Sequence, residues 1–453
     1  MASTVEIDNF GIPPLAGVCS YERAARAGLD VEHTVARLKR YNYVLRRLHE
    51  TAAAHLPRTP EWEVKCALGL HLWLDAEHCA ALRARVKEMR EPPVHLDDVP
   101  DERLQAALEE LLRAEDTIEL VAGIYGAVRP ALVAALEEHL ELLNPLFDHP
   151  THRGLRSILR EQEEMLDWGR AALAALTTTA ELAAQASAFQ DHVGQFLAAA
   201  GGISGDDFVA ADAVLPEPRW DRSEYVMDAE PRRDARFVDP FNATAAIDEY
   251  YTEETRPADE RAFALAYKRL REMDVPEWMA PILFKTRGKP WEYYRELSRQ
   301  QWDETRHAMM GEVALYFLGV PFYAYPIDMA ASVSLNREYS PLEAHLMLWH
   351  IEQELMPRKT GKRWEWEIAR LDGDPFFVAL QDYDWADEVL HAQIGRRWLE
   401  ADFPTSSERK AAGQELWDRW MPVLERYAEQ STRREWWPEF VERARAGRVA
   451  ASA

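Results

Sequence analysis

Cysteine is scarce: Cys19, Cys66 and Cys79 are all that 453 residues contain. Three thiols make no disulfide framework. Cys66 and Cys79 fall in one helix-patterned run, which would hold them too far apart to bond. A reducing cytoplasm follows as the expected location. Positive charge is also short. Lys and Arg number 53 against 78 Asp and Glu, for a net charge of −25. That balance argues against a general nucleic-acid or anionic-membrane surface, since both need a basic footprint. No uninterrupted apolar stretch approaches the ~20 residues that span a bilayer. The N-terminus has neither the basic nor the long apolar region of a signal peptide. Alternating, β-branched strand patterns are nearly absent.

Helical patterning fills the space left by these absences. Runs such as "DERLQAALEELLRAEDTIELVAGIYGAV" and "PTHRGLRSILREQEEMLDWGRAALAAL" place apolar residues at three- and four-residue spacing, with charges between. Pro257, Pro290, Pro341 and Pro375 stand where helices should start. An all-α protein is expected, with helical domains at 22–200 and 257–430, a Gly/Pro/Asp/Arg-rich linker at 201–256 and a frayed tail at 431–453. The linker carries Trp220, Tyr225, Phe237 and Phe241, so it should pack rather than float. The two helical halves share a plan. Carboxylates recur at matched separations, Glu32, Asp75 and Glu164 in the first half and Glu260, Glu304 and Glu388 in the second, which suggests duplication.

One stretch of the second half is too polar for a buried helix: Trp302-Asp-Glu-Thr-Arg-His307. Residues three apart share a helix face, so Glu304 and His307 point together, as do Glu388 and His391. Of 14 histidines, only these two follow a Glu by three positions, and in both cases an Asp precedes that Glu. Five Asp-Glu dipeptides in the chain would by chance give well under one such match. Two helices each giving Glu and His, and two more each giving one Glu, would supply the oxygen and imidazole ligands that a pair of metal ions needs. Glu260 is the choice for the first single-Glu helix, with Glu272 as the fallback. Glu352 is preferred over Glu354 in the third. Asp303 and Asp387 can accept hydrogen bonds from the far nitrogens of the ligand imidazoles, and Arg306 can pair with such an Asp. Gly311 and Gly395 follow the two histidines by four positions, which implies close helix packing or space beside the metals.

Asp303-Glu-Thr-Arg-His307 matches the [DE]ExRH motif, and over 257–400 the chain resembles the ferritin-like superfamily of non-haem di-iron carboxylate oxidases and oxygenases. The resemblance implies two ferritin-like four-helix bundles in tandem. It also implies two iron ions, or a manganese–iron pair, held by Glu260, Glu304, His307, Glu352, Glu388 and His391. Glu304, His307, Glu388 and His391 would be the catalytic set, supported by Asp303, Arg306 and Asp387. Leu390 stands where the second motif would have Arg, so the support should be asymmetric. The first half departs further. Asp75-x-x-His78 and Glu164-x-x-Asp167 replace the intact motifs, and Glu32, Asp75, His78, Glu164 and Glu119 or Glu115 are expected to form a structural remnant of the site.

The function this implies is dioxygen-dependent hydroxylation, desaturation or N-oxygenation of a small organic metabolite. The expected partners are the substrate, dioxygen and a separate electron donor, with no nucleic acid and no membrane, and a homodimer contact from the segment "ERKAAGQELWDRWMPVLERYAEQ". The alternatives are a rubrerythrin- or ferritin-like ferroxidase or peroxidase, tRNA hydroxylation, which the net charge disfavours, and a non-catalytic helical scaffold. His71, His192 and His350 are expected to be ordinary surface or core groups. His345, two turns before Glu352, is better placed. Trp302 and Trp385 are expected to fill helix contacts.

Overall fold

A computed structural model describes residues 7–90, 95–210, 214–221, 223–356, 361–431 and 434–451. Among these the secondary structure is helical and contains no strand, so the protein is all-α. In chain order the α-helices are α1 (Tyr21–Ala24), α2 (Val31–His55), α3 (Trp62–Glu88), α4 (Glu102–Leu112), α5 (Thr117–Val121), α6 (Arg129–Leu142), α7 (His149–Leu176), α8 (Ala180–Ala199) and α9 (Ile247–Thr252). They continue as α10 (Ala258–Arg271), α11 (Asp274–Lys285), α12 (Trp291–Phe317), α13 (Ala330–Glu338), α14 (Pro341–Leu355), α15 (Lys362–Asp372), α16 (Pro375–Trp398), α17 (Ser406–Ala428) and α18 (Trp437–Ala451).

The four prolines do mark helix starts. Pro257 and Pro290 are the residues before α10 and α12, and Pro341 and Pro375 open α14 and α16. Their fixed φ suits a first turn whose N–H groups have no partner inside the helix. Ser340 and Glu343 close a capping box on α14, and Asp374 caps α16 through Phe376 N. Gly373, at φ 85°, ends α15 in a left-handed conformation that a side chain would strain. This turn sends the chain straight into α16.

The chain divides into two compact units, 1–48 with 74–225 and 49–73 with 226–453. The division does not fall at the expected linker. It runs through α2 and α3, because 49–73 packs with the later helices: Trp62 donates to Glu312, and Lys65 to Glu277. Within 201–256 the aromatic residues pack as expected. Trp220 lies under Arg113 in the first unit, and Phe237 lies against Trp62 in the second. Residues 437–451 form α18, where a frayed tail was expected. Trp436, Trp437, Phe440 and Ala444 are buried, and that apolar area holds the segment down.

Cys66 and Cys79 share α3, and all three cysteines are free. In the first unit, α5 and α6 are joined through a π-helical stretch, Ala122–Val128. The resulting span Thr117–Leu142 is long and apolar enough to cross a membrane, and 72% of its most apolar window is buried in the protein. It is a core helix rich in Ala, Val and Leu. Its apolar run is broken in the sequence by Glu119 and Arg129.

Candidate metal centre

The site lies in the second unit, on α10, α12, α14 and α16. Three groups of side chains there each bring ligand atoms within 4.8 Å of one another: Glu304, Glu352, Glu388 and His391; Glu272, Glu304 and His307; and His307, Asp384 and Glu388. Glu304 and Glu388 each belong to two groups. The arrangement therefore offers two ion positions, one beside His391 and one beside His307, with two carboxylates able to reach both. The rings of His307 and His391 are 5.9 Å apart, centroid to centroid.

Glu304, His307, Glu352, Glu388 and His391 are thus brought together. Glu260 is not with them. It sits in the first turn of α10, where it pairs with Arg256 at 2.5 Å and accepts from Trp437 Nε1 at 3.1 Å. Glu272 takes its place, just past the C-terminal end of the same helix, with Oε2 3.5 Å from His307 Nδ1. The twelve helical steps from one to the other span about 18 Å. Matched spacing along the chain pointed to Glu260, whereas the carboxylate that lies near His307 is Glu272, the fallback at the other end of the same helix. The side chain of Glu354 lies outside the described residues.

The two glycines explain how the single-Glu helices reach the histidines. A Cβ on Gly311 would lie 2.2 Å from the backbone N of Leu270, and a Cβ on Gly395 would lie 2.7 Å from Trp349 Cβ. Leu270 is two residues from Glu272, and Trp349 is three from Glu352. Each glycine lets the partner helix come close enough to deliver its carboxylate.

Support for the imidazoles runs crosswise. His391 Nε2 lies 3.4 Å from Asp303 Oδ2, and His307 Nε2 lies 3.2 Å from Asp387 Oδ2. Each Asp serves the histidine of the other motif. Donation through Nε2 leaves Nδ1 as the inward atom on both rings. Arg306 Nη2 donates to Asp303 Oδ1 at 2.7 Å and to Asp387 Oδ2 at 2.6 Å, so one guanidinium ties both supports together. The asymmetry expected from Leu390 is offset by Arg299, whose Nε donates to Asp303 at 2.8 Å. Burial would raise the Asp303 carboxyl, but His391, Arg306 and Arg299 outweigh it and hold the group at about 2.

Electrostatics show what the inner groups want. Burial alone would drive protons off both imidazoles, yet the surrounding carboxylates hold them well above the ordinary histidine range. Burial and the neighbouring Glu388 push Glu352 well up. Glu388 is held well down in spite of burial, chiefly by Lys362. Eight carboxylates (Glu272, Asp303, Glu304, Glu352, Glu365, Asp384, Asp387, Glu388) face five cations (Lys268, Arg269, Arg299, Arg306, Lys362). The excess negative charge must be met by protons on the imidazoles and Glu352, or by metal ions. Glu272 Oε2, Glu304 Oε1, His307 Nδ1, Glu352 Oε2, Glu388 Oε2 and His391 Nδ1 are all buried and make no well-formed hydrogen bond among the described residues. They crowd one another instead: His391 Nδ1 is 3.0 Å from Glu304 Oε1 and 3.4 Å from Glu388 Oε2, and His307 Nδ1 is 3.5 Å from Glu272 Oε2. Six inward-facing ligand atoms gathered this closely could hold cations.

Asp384, Lys362 and Arg269 were not singled out in the sequence. Asp384 precedes Glu388 by four and His391 by seven, one stripe of α16, and that spacing was the available signal. Lys362 Nζ lies 3.0 Å from both Asp384 oxygens and 2.9 Å from Glu388 Oε1, and Arg269 pairs with Asp384 as well. Asp384 is therefore committed to cationic side chains more than its neighbours are. Nothing local in the sequence marks either cation.

In the first unit the corresponding residues do not assemble. Asp75 is buried and accepts from Arg129 Nη1 and Nη2, at 3.0 and 2.7 Å, and from Gln162 at 3.0 Å. His78 lies 2.6 Å from Glu161 and 3.1 Å from Gln162. Glu32 is exposed, Glu164 pairs with Arg160 and Asp167 with Arg170 at the surface, and Glu115 and Glu119 pair with Arg219. Arg129 supplies internally the positive charge that a metal would bring. Elsewhere, His192 pairs with Glu110, and His350 packs on Trp417. His345 is pushed down to about 3 by burial and belongs to none of the ligand groups. Trp302 stacks on Trp73, and Trp385 packs on Trp366. No protein-family model, curated protein or solved structure matches this chain.

Proposed function

We propose that the second unit is a dinuclear metal centre of the non-haem di-iron oxidase or oxygenase type, acting on a small organic substrate. The observation that carries this reading is the convergence of buried ligand atoms on Glu272, Glu304, His307, Glu352, Glu388 and His391, which lie within 4.8 Å of one another in overlapping groups. Bound iron ions would supply the activation of dioxygen and the oxidising power. The chain's own residues do the rest. Glu304 and Glu388, which each belong to two of the ligand groups, would be shared between the two positions, while Glu272 and Glu352 would each complete one. Asp303 and Asp387 fix the imidazole tautomers from outside. The Glu352 carboxyl and the two imidazoles hold protons that binding of cations would displace. Complete burial of His307, His391 and Asp303 keeps bulk water from the ligands. Electrons would come from a separate donor or from the substrate.

The cations of the cluster also favour a second reading, a metal-free ion-pair core. Lys362 and Arg269 already neutralise Asp384 and part of Glu388. Metal content after anaerobic loading of the full chain with ferrous iron separates the two. About two irons per chain are expected. They should be lost in Glu304→Ala/His391→Ala and reduced in Glu272→Gln, yet retained in Glu260→Gln. No uptake would leave the ion-pair core as the function of these residues. About four irons per chain would place a second centre in the first unit. Continued accumulation of ferric iron beyond the dinuclear load would point to ferroxidase chemistry instead.

A further inference from the structure

An apolar groove of about 470 Å³ lies along α12 and α16, lined by Met309, Met310, Val313, Phe376 and Leu380 among others. Its volume is that of a small-molecule site. Val313 and Tyr383 are 51% and 67% exposed, so the groove opens to solvent. Arg306 is the one charged residue among those lining it. Only one nitrogen of that guanidinium is committed. Nη2 serves Asp303 and Asp387, whereas Nε and Nη1 donate to no group among the described residues. A guanidinium carries five N–H donors, so the three on Nε and Nη1 remain for single hydrogen bonds to an anion.

We propose that this groove binds a small amphiphile with an apolar body and a single carboxylate, which accepts from the uncommitted N–H groups of Arg306. A neutral apolar ligand would strip water from those donors and return nothing, and a cation would be repelled. A second copy of the chain would have to cover the same donors with an apolar helix face. Arg306 also holds the two carboxylates that orient His307 and His391. An anion competing for the guanidinium therefore acts on both imidazoles, and ligand and metal binding become linked in both directions. The linkage rests on the metal reading above; binding of the amphiphile does not.

The test uses octanoate, 1-octanol and octylamine as probes of the metal-free full chain, by calorimetry. Octanoate is expected to bind about tenfold more tightly than 1-octanol, as a charge-assisted contact implies. Arg306→Gln should erase that preference. Ala379→Trp, on the exposed wall of the groove, should weaken both ligands while leaving Asp303 and Asp387 untouched. With cobalt(II) bound, octanoate should change cobalt affinity about fivefold in the wild type and not in Arg306→Gln. Equal binding of acid and alcohol, no binding of either, or indifference to Ala379→Trp would overturn the assignment. So would a dimer that Ala379→Trp dissociates. Octanoate binding without any cobalt uptake would uphold the groove and overturn the metal reading. Cobalt affinity indifferent to octanoate would overturn the linkage.

Discussion

Asp387→Asn tests the crosswise support most sharply. Asp387 Oδ2 accepts from Arg306 at 2.6 Å and from His307 Nε2 at 3.2 Å. The amide oxygen can still accept a hydrogen bond, so what is lost is the charge. Removing such a partner from a ligand imidazole typically costs 10–100-fold in metal affinity, or about 1.4–2.8 kcal/mol. The loss should fall on the ion beside His307, which sits on a different helix and 80 positions earlier in the chain. The ion beside His391 should change less, since Asp387 reaches it only through Arg306, which also holds Asp303. Asp303→Asn should give the mirror image, with the larger effect, since Asp303 is fully buried and also holds Arg299 and Arg306. Stepwise cobalt(II) titration is the assay, with proton NMR of the paramagnetically shifted imidazole N–H signals to say which ring is affected. Each variant should perturb most strongly the signal of the opposite motif. If Asp387→Asn weakened the ion beside His391 more, or both ions equally, the crosswise geometry would be refuted. The pH dependence has a fixed sign. Both imidazoles are held protonated above the ordinary 6.5 by their carboxylates. A raised folded pKa contributes stability that is full below 6.5 and is lost as pH rises through the folded value. A ligand imidazole must be neutral, so cobalt uptake should tighten over that same interval.

Three further outcomes are expected. Gly311→Ala would drive a Cβ into the backbone of Leu270 and push α10 away; a loss of about 1–3 kcal/mol in urea unfolding should come with reduced metal content, because Glu272 moves too. Arg129→Leu leaves buried Asp75 without its bidentate partner and should cost about 3–5 kcal/mol in chemical denaturation, much of it recovered by adding Asp75→Leu. Asp274 is raised to about 7 by burial, with Glu277 and Asp328 adding to it. The folded chain therefore binds more protons than the unfolded one between 3.8 and about 7, and stability falls as pH rises across that window. Asp274→Asn, which can still accept from Ser332 N, should raise Tm at pH 8 and do little at pH 4; equal effects at both would count against the shift.

The legible part of the site was that which lies within one turn of one helix. Glu304 with His307 and Glu388 with His391 share a face by spacing alone, and an Asp ahead of each Glu marks both motifs. The illegible part crosses between helices. Which carboxylate of α10 faces α12 depends on where the two helices touch, and that is set by Gly311 against Leu270. Both glycines were visible in the sequence, but the residues they press against were not. The same limit hid Lys362, which comes from the start of α15 to lie against Asp384 and Glu388. In the first half, the loss of the motifs could be read directly. That Arg129 and Gln162 would close around Asp75 could not.

The sequence by itself determined that the protein is helical, because the apolar period, the proline starts and the capping residues are local properties of a few consecutive residues. It also determined the two acid–histidine pairs, since 3.6 residues per turn fixes what shares a face. Tertiary structure alone decided that Glu272 rather than Glu260 joins them, that each Asp supports the opposite histidine, and that Arg306 links both supports to an apolar groove. Those choices are made by helix approach and rotation, which depend on side-chain contacts between segments far apart in the chain.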